Sequence, residues 1–210
     1  MARPALTEDE ISDFRERLCE VATRRFVEFG DAGVSLRGLA LELGCSPTTP
    51  YRYFRDKDEI LAAVRARAFD RLAHFAAPFA GPDGDPLSQL EALGFAYLRF
   101  AREEPHAYRM AFELSQPEAS AYPELLQSRQ KAWQMIYRAV RRAVVAGALA
   151  GDANVVSHLF WAGMHGLAAL HLGGQLESLP IEKLQKPMVR ALLRGALPSV
   201  GPTTGDTPDA

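Results

Sequence analysis

The sequence predicts an all-α protein, and three observations carry that prediction. Apolar residues recur every three or four positions along most of the chain, the period of one helix face. No stretch alternates apolar and polar residues as a half-buried strand would. Each break in the helical pattern is marked by glycine or proline, as at Gly30, Gly44, Pro105, Pro123 and Gly173. With 210 residues, 48% hydrophobic and 24% charged, the chain has an ordinary globular composition and room for one large or two small domains. The pattern divides into a small three-helix N-terminal domain over residues 7–57 and a larger helical bundle over residues 58–197. Residues 198–210, rich in glycine, proline, threonine and aspartate, read as a disordered tail.

The first helix is expected from Thr7 or Ser12 to Phe29, with Ile11, Phe14, Leu18, Val21, Ala22, Phe26 and Phe29 on one apolar stripe. Gly30 and Gly33 break it. Leu36, Leu39, Ala40 and Leu43 form a second helical face, which Gly44 ends in a left-handed conformation. Ser46 and Pro47 supply an N-cap and a first-turn proline for a short third helix that exposes Thr48, Thr49, Tyr51, Arg52 and Tyr53. Asp56 then caps a long helix running toward Phe79, with Asp58 and Glu59 at its positive end. Lys57 opposes that dipole, so a phosphate explains its position better than helix stability does. Beyond a loop at 80–86, helices are expected at 87–102, 106–114 and 123–149. Asp152 or Asn154 caps another that reaches Leu172, and a last one spans 181–197.

Two short helices around a glycine turn are the geometry that sets a helix into a DNA groove. Hydroxyls, phenols and a guanidinium on the second of them suit phosphates, base edges and thymine methyls. The run Leu39-Ala40, Gly44, Ser46, Tyr51, Tyr53-Phe54, Lys57-Asp58 and Ile60-Leu61 resembles the signature of the tetracycline-repressor (TetR) family of bacterial regulators. The resemblance covers residues 10–62. It implies a sequence-specific DNA-binding regulator, most often a repressor, with the helix-turn-helix within residues 7–57. Matched to the family position by position, Arg37, Thr48 and Thr49 face base edges. Ser46, Tyr51, Tyr53 and Lys57 grip phosphates, Tyr51 also lies near a thymine methyl, and Arg52 serves either role. Pro50 departs from the family, which more often carries Leu or Ile there; a proline one turn into a helix removes an N–H and tightens or kinks the segment.

Charge does not carry this reading. The formal net charge is -2, so DNA binding has to rest on a local basic surface. Cys19 and Cys45 are too few for a disulfide framework or an all-thiolate zinc site, and reduced thiols are expected. His158, His165 and His171 lie seven and six apart, not at the three- or four-residue spacing by which one helix presents two ligands, so no metal site is expected. Neither a nucleophile elbow nor a phosphate-cradling glycine loop is present, and neither catalysis nor a cofactor is expected. No apolar run approaching a membrane span and no signal-peptide core is apparent, which predicts a cytoplasmic protein without a membrane partner.

In the second domain, Ala162, Gly163, Gly166 and Ala169 give one helix a small-residue surface, suited to tight packing within the chain or to a dimer seam. Trp161 and His165-Gly166 resemble the pattern of the TetR subgroup named for Trp-His-Gly, which favours a homodimer on a palindromic double-stranded operator. Phe100, Met110, Trp133, Tyr137 and Trp161, with His106 and His165, are candidates for an apolar pocket with a few polar groups, suited to a small, partly hydrophobic effector. The expectation is a regulator released from DNA by that effector. The alternative is a helical ligand-binding or adaptor module without operator recognition.

Overall fold

The computed structural model describes residues 7–81, 84–112, 118–176 and 179–197. Among them are eight α-helices and no strand. The tail at 198–210 and the last two residues of the helix expected at 106–114 lie outside the described residues.

Thr7 starts α1 (Glu8–Phe29) with a reciprocal pair of bonds. Its Oγ1 accepts from the Glu10 amide at 3.2 Å, while the Thr7 amide donates to Glu10 Oε2 at 2.8 Å. Of the expected stripe, Leu18, Val21, Ala22 and Phe26 are buried, whereas Ile11 and Phe29 at its two ends are exposed. Ser35 Oγ caps α2 (Leu36–Glu42) by accepting the Gly38 amide at 3.1 Å. At the other end Gly44 takes φ 65°. There the Gly44 amide donates to the Leu41 carbonyl and the Cys45 amide to the Ala40 carbonyl, satisfying two helix-end acceptors. Glu42 fastens α2 to α1, lying 3.0 Å from Arg24 Nη2 and 3.3 Å from Arg25 Nη1. Arg25 Nε also donates to the Gly33 carbonyl at 2.7 Å.

Asp56 caps α3 (Lys57–Ala76) by accepting the Glu59 amide at 2.8 Å. Its buried residues include Ile60, Leu61, Val64, Ala68, Phe69 and Leu72, and it packs on α1 and on α5 (Pro105–Phe112). The Phe69 and Phe112 rings meet edge to face at 5.5 Å.

The chain forms two compact units: residues 1–77 with 99–134, and residues 78–98 with 135–210. This partition differs from a boundary at 57 and 58, because the apolar side of α3 is buried against α1 and α5 rather than handed to a second domain. Helices α4 (Pro86–Glu103) and α6 (Pro123–Val145) each have residues in both units.

The second unit is built around α7 (Ala153–Leu172) and α8 (Ile181–Arg194), which pack on each other. Phe160, Met164 and Val189 are fully buried or nearly so, and Gly94 of α4 lies close against all three. Asp152 caps α7 through the amides of Asn154 and Val155, both at 2.9 Å. Helix α6 stops at Val145, before the expected Leu149. Gly147 there takes φ 71°, and the amides of Gly147 and Ala148 turn back onto Val144 and Ala143. Helix α8 likewise stops at Arg194 rather than residue 197, and the Ala196 carbonyl instead accepts the Ala150 amide at 2.7 Å. One expectation needs correction: α7 is long and apolar enough to cross a membrane by length and composition. Asn154, Ser157 and three histidines interrupt its apolar run, yet none of its residues is Asp, Glu, Lys or Arg.

Two outcomes test this packing. A Cβ on Gly33 would sit 2.5 Å from Phe29 Cβ and 2.7 Å from the Arg25 carbonyl oxygen, so backbone must move. Gly33→Ala should cost about 1–3 kcal/mol in urea unfolding. The Glu42 carboxyl is held below its ordinary value, chiefly by the Arg24 guanidinium and then by Arg25. A carboxyl lowered by folding contributes stability above its unfolded value and loses it as pH falls through the folded one. The advantage of the wild type over Glu42→Gln, at most about 1 kcal/mol for such exposed pairs, should therefore be present at neutral pH and be lost as acid titrates the folded-state carboxyl, below the ordinary glutamate range.

Candidate nucleic-acid interface

The segment after Gly44 does not form the expected α-helix. Residues 47–49 make a turn and Pro50–Arg52 a single 3-10 turn. The cause is Pro50, which has no N–H to give to the Ser46 carbonyl four residues back. That carbonyl accepts the Thr49 amide at 2.8 Å instead, and the Arg52 and Tyr53 amides likewise reach back three residues, to Thr49 and Pro50. Ser46 still acts near the start: its Oγ lies 3.0 Å from Thr48 Oγ1 and accepts the Thr48 amide at 3.5 Å.

Two buried anchors hold this segment, Pro50 and Phe54, the latter 1% exposed. The Arg15 guanidinium of α1 stacks over the Phe54 ring at 4.2 Å and donates to the Tyr53 carbonyl at 2.5 Å. With the backbone pinned from below, Ser46, Thr48, Tyr51 and Arg52 are exposed on one continuous stretch, and Arg37 is exposed on α2. Thr49 is half-buried. Tyr53 is also half-buried, with its ring 4.4 Å from that of Phe14.

Lys57 has a partner that the sequence did not reveal. Its Nζ lies 2.7 Å from Asp31 Oδ2 and donates to the Asp31 carbonyl at 2.6 Å, tying the start of α3 to the short 3-10 turn Asp31–Gly33. An unfavourable place on the helix dipole is thus offset by an ion pair whose two partners are 26 residues apart in sequence.

The seven expected pocket residues are divided between the two units. Phe100, His106 and Met110 line an open groove of about 900 Å³ in the first unit, walled by α1, α3, the end of α4 and α5. Its floor includes Cys19, Val64 and Phe75; its rim carries Arg71, whose Nη2 lies 2.7 Å from both carboxylate oxygens of Glu104. Burial pushes the Cys19 thiol up to about 11, so it stays protonated at neutral pH. Trp161 and His165 belong to the second unit, where the His165 Nδ1 lies 3.0 Å from the Tyr97 hydroxyl and the Trp161 ring is 5.7 Å from the imidazole. Burial lowers the His165 pKa and favours the neutral ring. Trp133 and Tyr137 are half-buried on α6, in the first and second units respectively. Sequence reasoning missed the α1 and α3 walls of the groove. The stripe Arg67, Arg71 and His74, at helical spacing on one side of α3, was the available signal.

Comparison with known proteins agrees with this geometry. Residues 18–64 match bacterial regulatory proteins of the tetR family, and residues 90–195 match the tetracyclin repressor-like C-terminal domain. The latter match does not single out the Trp-His-Gly subgroup. An HTH-type transcriptional regulator of Mycobacterium tuberculosis is 32% identical over 65 residues, which is 31% of this chain and 28% of that protein. A solved structure of a protein with unknown function from Rhodococcus sp. RHA1 is 26% identical with a TM-score of 0.76, covering 88% of this chain and 95% of its own. A regulatory protein of the tetR family from Rhodococcus RHA1, 16% identical, shares the fold with a TM-score of 0.70 over 88% of this chain and 97% of its own. With a helix-turn-helix scaffold at one end, only helices among the regular elements of the described residues and matches along both parts, this protein belongs to the TetR family of DNA-binding transcriptional regulators.

Proposed function

We propose that the protein is a cytoplasmic homodimeric repressor that holds a palindromic operator and is released by a small, partly hydrophobic effector. The observation that carries the DNA side of this reading is the exposed segment Ser46, Thr48, Tyr51 and Arg52, braced from beneath by Arg15 and flanked by exposed Arg37. Arg37, Thr48 and Thr49 are assigned to base edges. Ser46, Tyr51, Tyr53 and Lys57 are assigned to phosphates, and Arg52 to either.

The dimer reading is supported by α7. Val155, Leu159 and Leu170 are 57%, 62% and 48% exposed, and Ala162 and Gly166 lie exposed between them at helical spacing. Moving such a stripe from water onto a second copy lowers the free energy. Pairing also doubles the contact of a short reading segment and sets half-sites about 34–36 Å apart. For the effector, the groove beside Phe100, His106 and Met110 offers an apolar floor and a charged rim.

The deciding experiment is fluorescence anisotropy on the DNA directly upstream of the gene, at two salt concentrations, with random duplex as competitor. Tight, salt-sensitive binding that survives the competitor is expected; no preference over random DNA would favour the adaptor alternative. In that assay Arg37→Ala should cost about 1–3 kcal/mol and relax specificity at one position, whereas Lys57→Ala should weaken all sequences alike and flatten the salt slope by about one unit. An unchanged slope would assign Lys57 to Asp31 alone. For the dimer, Leu159→Glu should sediment at the 23.1 kDa monomer mass, with the wild type at twice that. Equal masses for the two would remove α7 from the seam.

A further inference from the structure

The segment 46–54 is set apart by how its backbone is bonded. Three amides in a row of turns, those of Thr49, Arg52 and Tyr53, reach back three residues, and only Phe54 reaches back four, to Pro50 at 3.0 Å. Thr49 holds φ -61° and ψ -45° directly before proline, where the ring disfavours the helical region. Both Pro50 and Phe54 are buried beneath it, so the conformation is fixed from the core side while Thr48, Tyr51 and Arg52 face outward.

This geometry has a consequence for recognition. A 3-10 turn advances ~20° more and rises ~0.5 Å more per residue than an α-helix. Across the three steps from Thr49 to Arg52, that turns the arginine by ~60° and carries it ~1.5 Å further along. Thr49 and Arg52 come into line on one side of the segment, where an α-helix would splay them. A guanidinium reads guanine by two parallel hydrogen bonds of fixed direction, so a rotation of this size changes which base edge it meets.

The geometry points to Pro50 as the specificity-determining residue of the reading segment: by imposing the 3-10 turn on residues 49–52 it selects which base pair Arg52 addresses. Pro50 touches no base in this account; it is a positioning residue. The inference rests on the operator-reading function proposed above.

The test selects half-sites from a randomised duplex pool with three full-length proteins: wild type, Pro50→Leu and Pro50→Ala. Both variants restore the N–H, and alanine covers the case in which leucine does not pack. Each is checked for folding by thermal denaturation. The expected result is a change in base identity confined to one or two positions of the half-site, with each protein preferring its own selected site by roughly fivefold or more. Arg52→Ala, made in the proline and leucine backgrounds, should then relax preference at a different position in each. A merely structural role for Pro50 would lower affinity for every sequence alike and leave the selected half-site unchanged, and that outcome overturns the inference while leaving operator reading intact. A folded wild type that selects no half-site at all would overturn operator reading and this inference with it.

Discussion

The first unit depends on one desolvated helix face. Leu18 and Ala22 of α1 have no exposed surface and Cys19 has 2%, because α2, α3 and α5 all pack against the same helix. Four elements therefore share a single core, and none of the shorter ones would bury enough apolar area alone. Helix α2 has seven residues and α5 eight, below the length at which isolated helices persist in water. Their stability is tertiary. The reading segment is a further step removed: it has one 3-10 turn of its own and is held by Pro50, Phe54 and the Arg15 contacts to α1.

The cations divide into two sets, which explains how a chain of net charge -2 still exposes cations outside its ion pairs. Arg15 faces a carbonyl and a ring, Arg24 and Arg25 share Glu42, Lys57 sits on Asp31, Arg67 lies 3.8 Å from Glu16, and Arg71 is held by Glu104. These cations are engaged within the protein, and those of Arg15, Arg24, Arg25 and Arg67 brace α1 against its neighbours. Arg37 and Arg52 make no ion pair among the described residues and are exposed. Counting charges over the segment mixes the two sets, so the sum conceals the surface. Exposed pairs of the first kind contribute little individually. Their weight here is geometric, since Arg24 and Arg25 with Glu42 join α1 to α2, and Arg67 with Glu16 joins α3 to α1.

What was legible in the sequence was local. Thr7 and Asp56 announced helix starts because a capping side chain bonds the amide three residues on. Gly44 announced an end because only a left-handed residue closes that turn cheaply. Position 50 was also legible as a proline, but its effect was not, because whether the segment kinks or tightens depends on the burial of Phe54 and on Arg15, 38 residues from its Tyr53 contact. The Lys57 ion pair was hidden for the same reason: the dipole argument was sound, and Asp31 lay 26 residues away. The aromatic residues grouped as one pocket were chosen for type and periodicity. Periodicity places a side chain on a face, yet Phe100 and Trp161 fall in different compact units.

The groove and the reading segment share α1, and this bears on how a ligand could act at a distance. Cys19, Thr23 and Arg24 line the groove from α1, while Phe14 and Arg15 of the same helix hold Tyr53 and Phe54. A molecule that fits the groove equally well in every arrangement of α1 would bind and change nothing, since only differential affinity moves an equilibrium. Weakening DNA a hundredfold requires about 2.7 kcal/mol of preference for the arrangement that fits DNA less well, and DNA must then weaken the ligand by that same factor. The Arg67–Glu16 pair, also on the groove wall, is one contact between α3 and α1 that lies in the path of such a ligand. Because that pair is exposed and long at 3.8 Å, it opposes the rearrangement only weakly. The resistance resides in the buried face of Leu18 and Ala22, so a shift of α1 along its axis costs less than one that lifts it off the core.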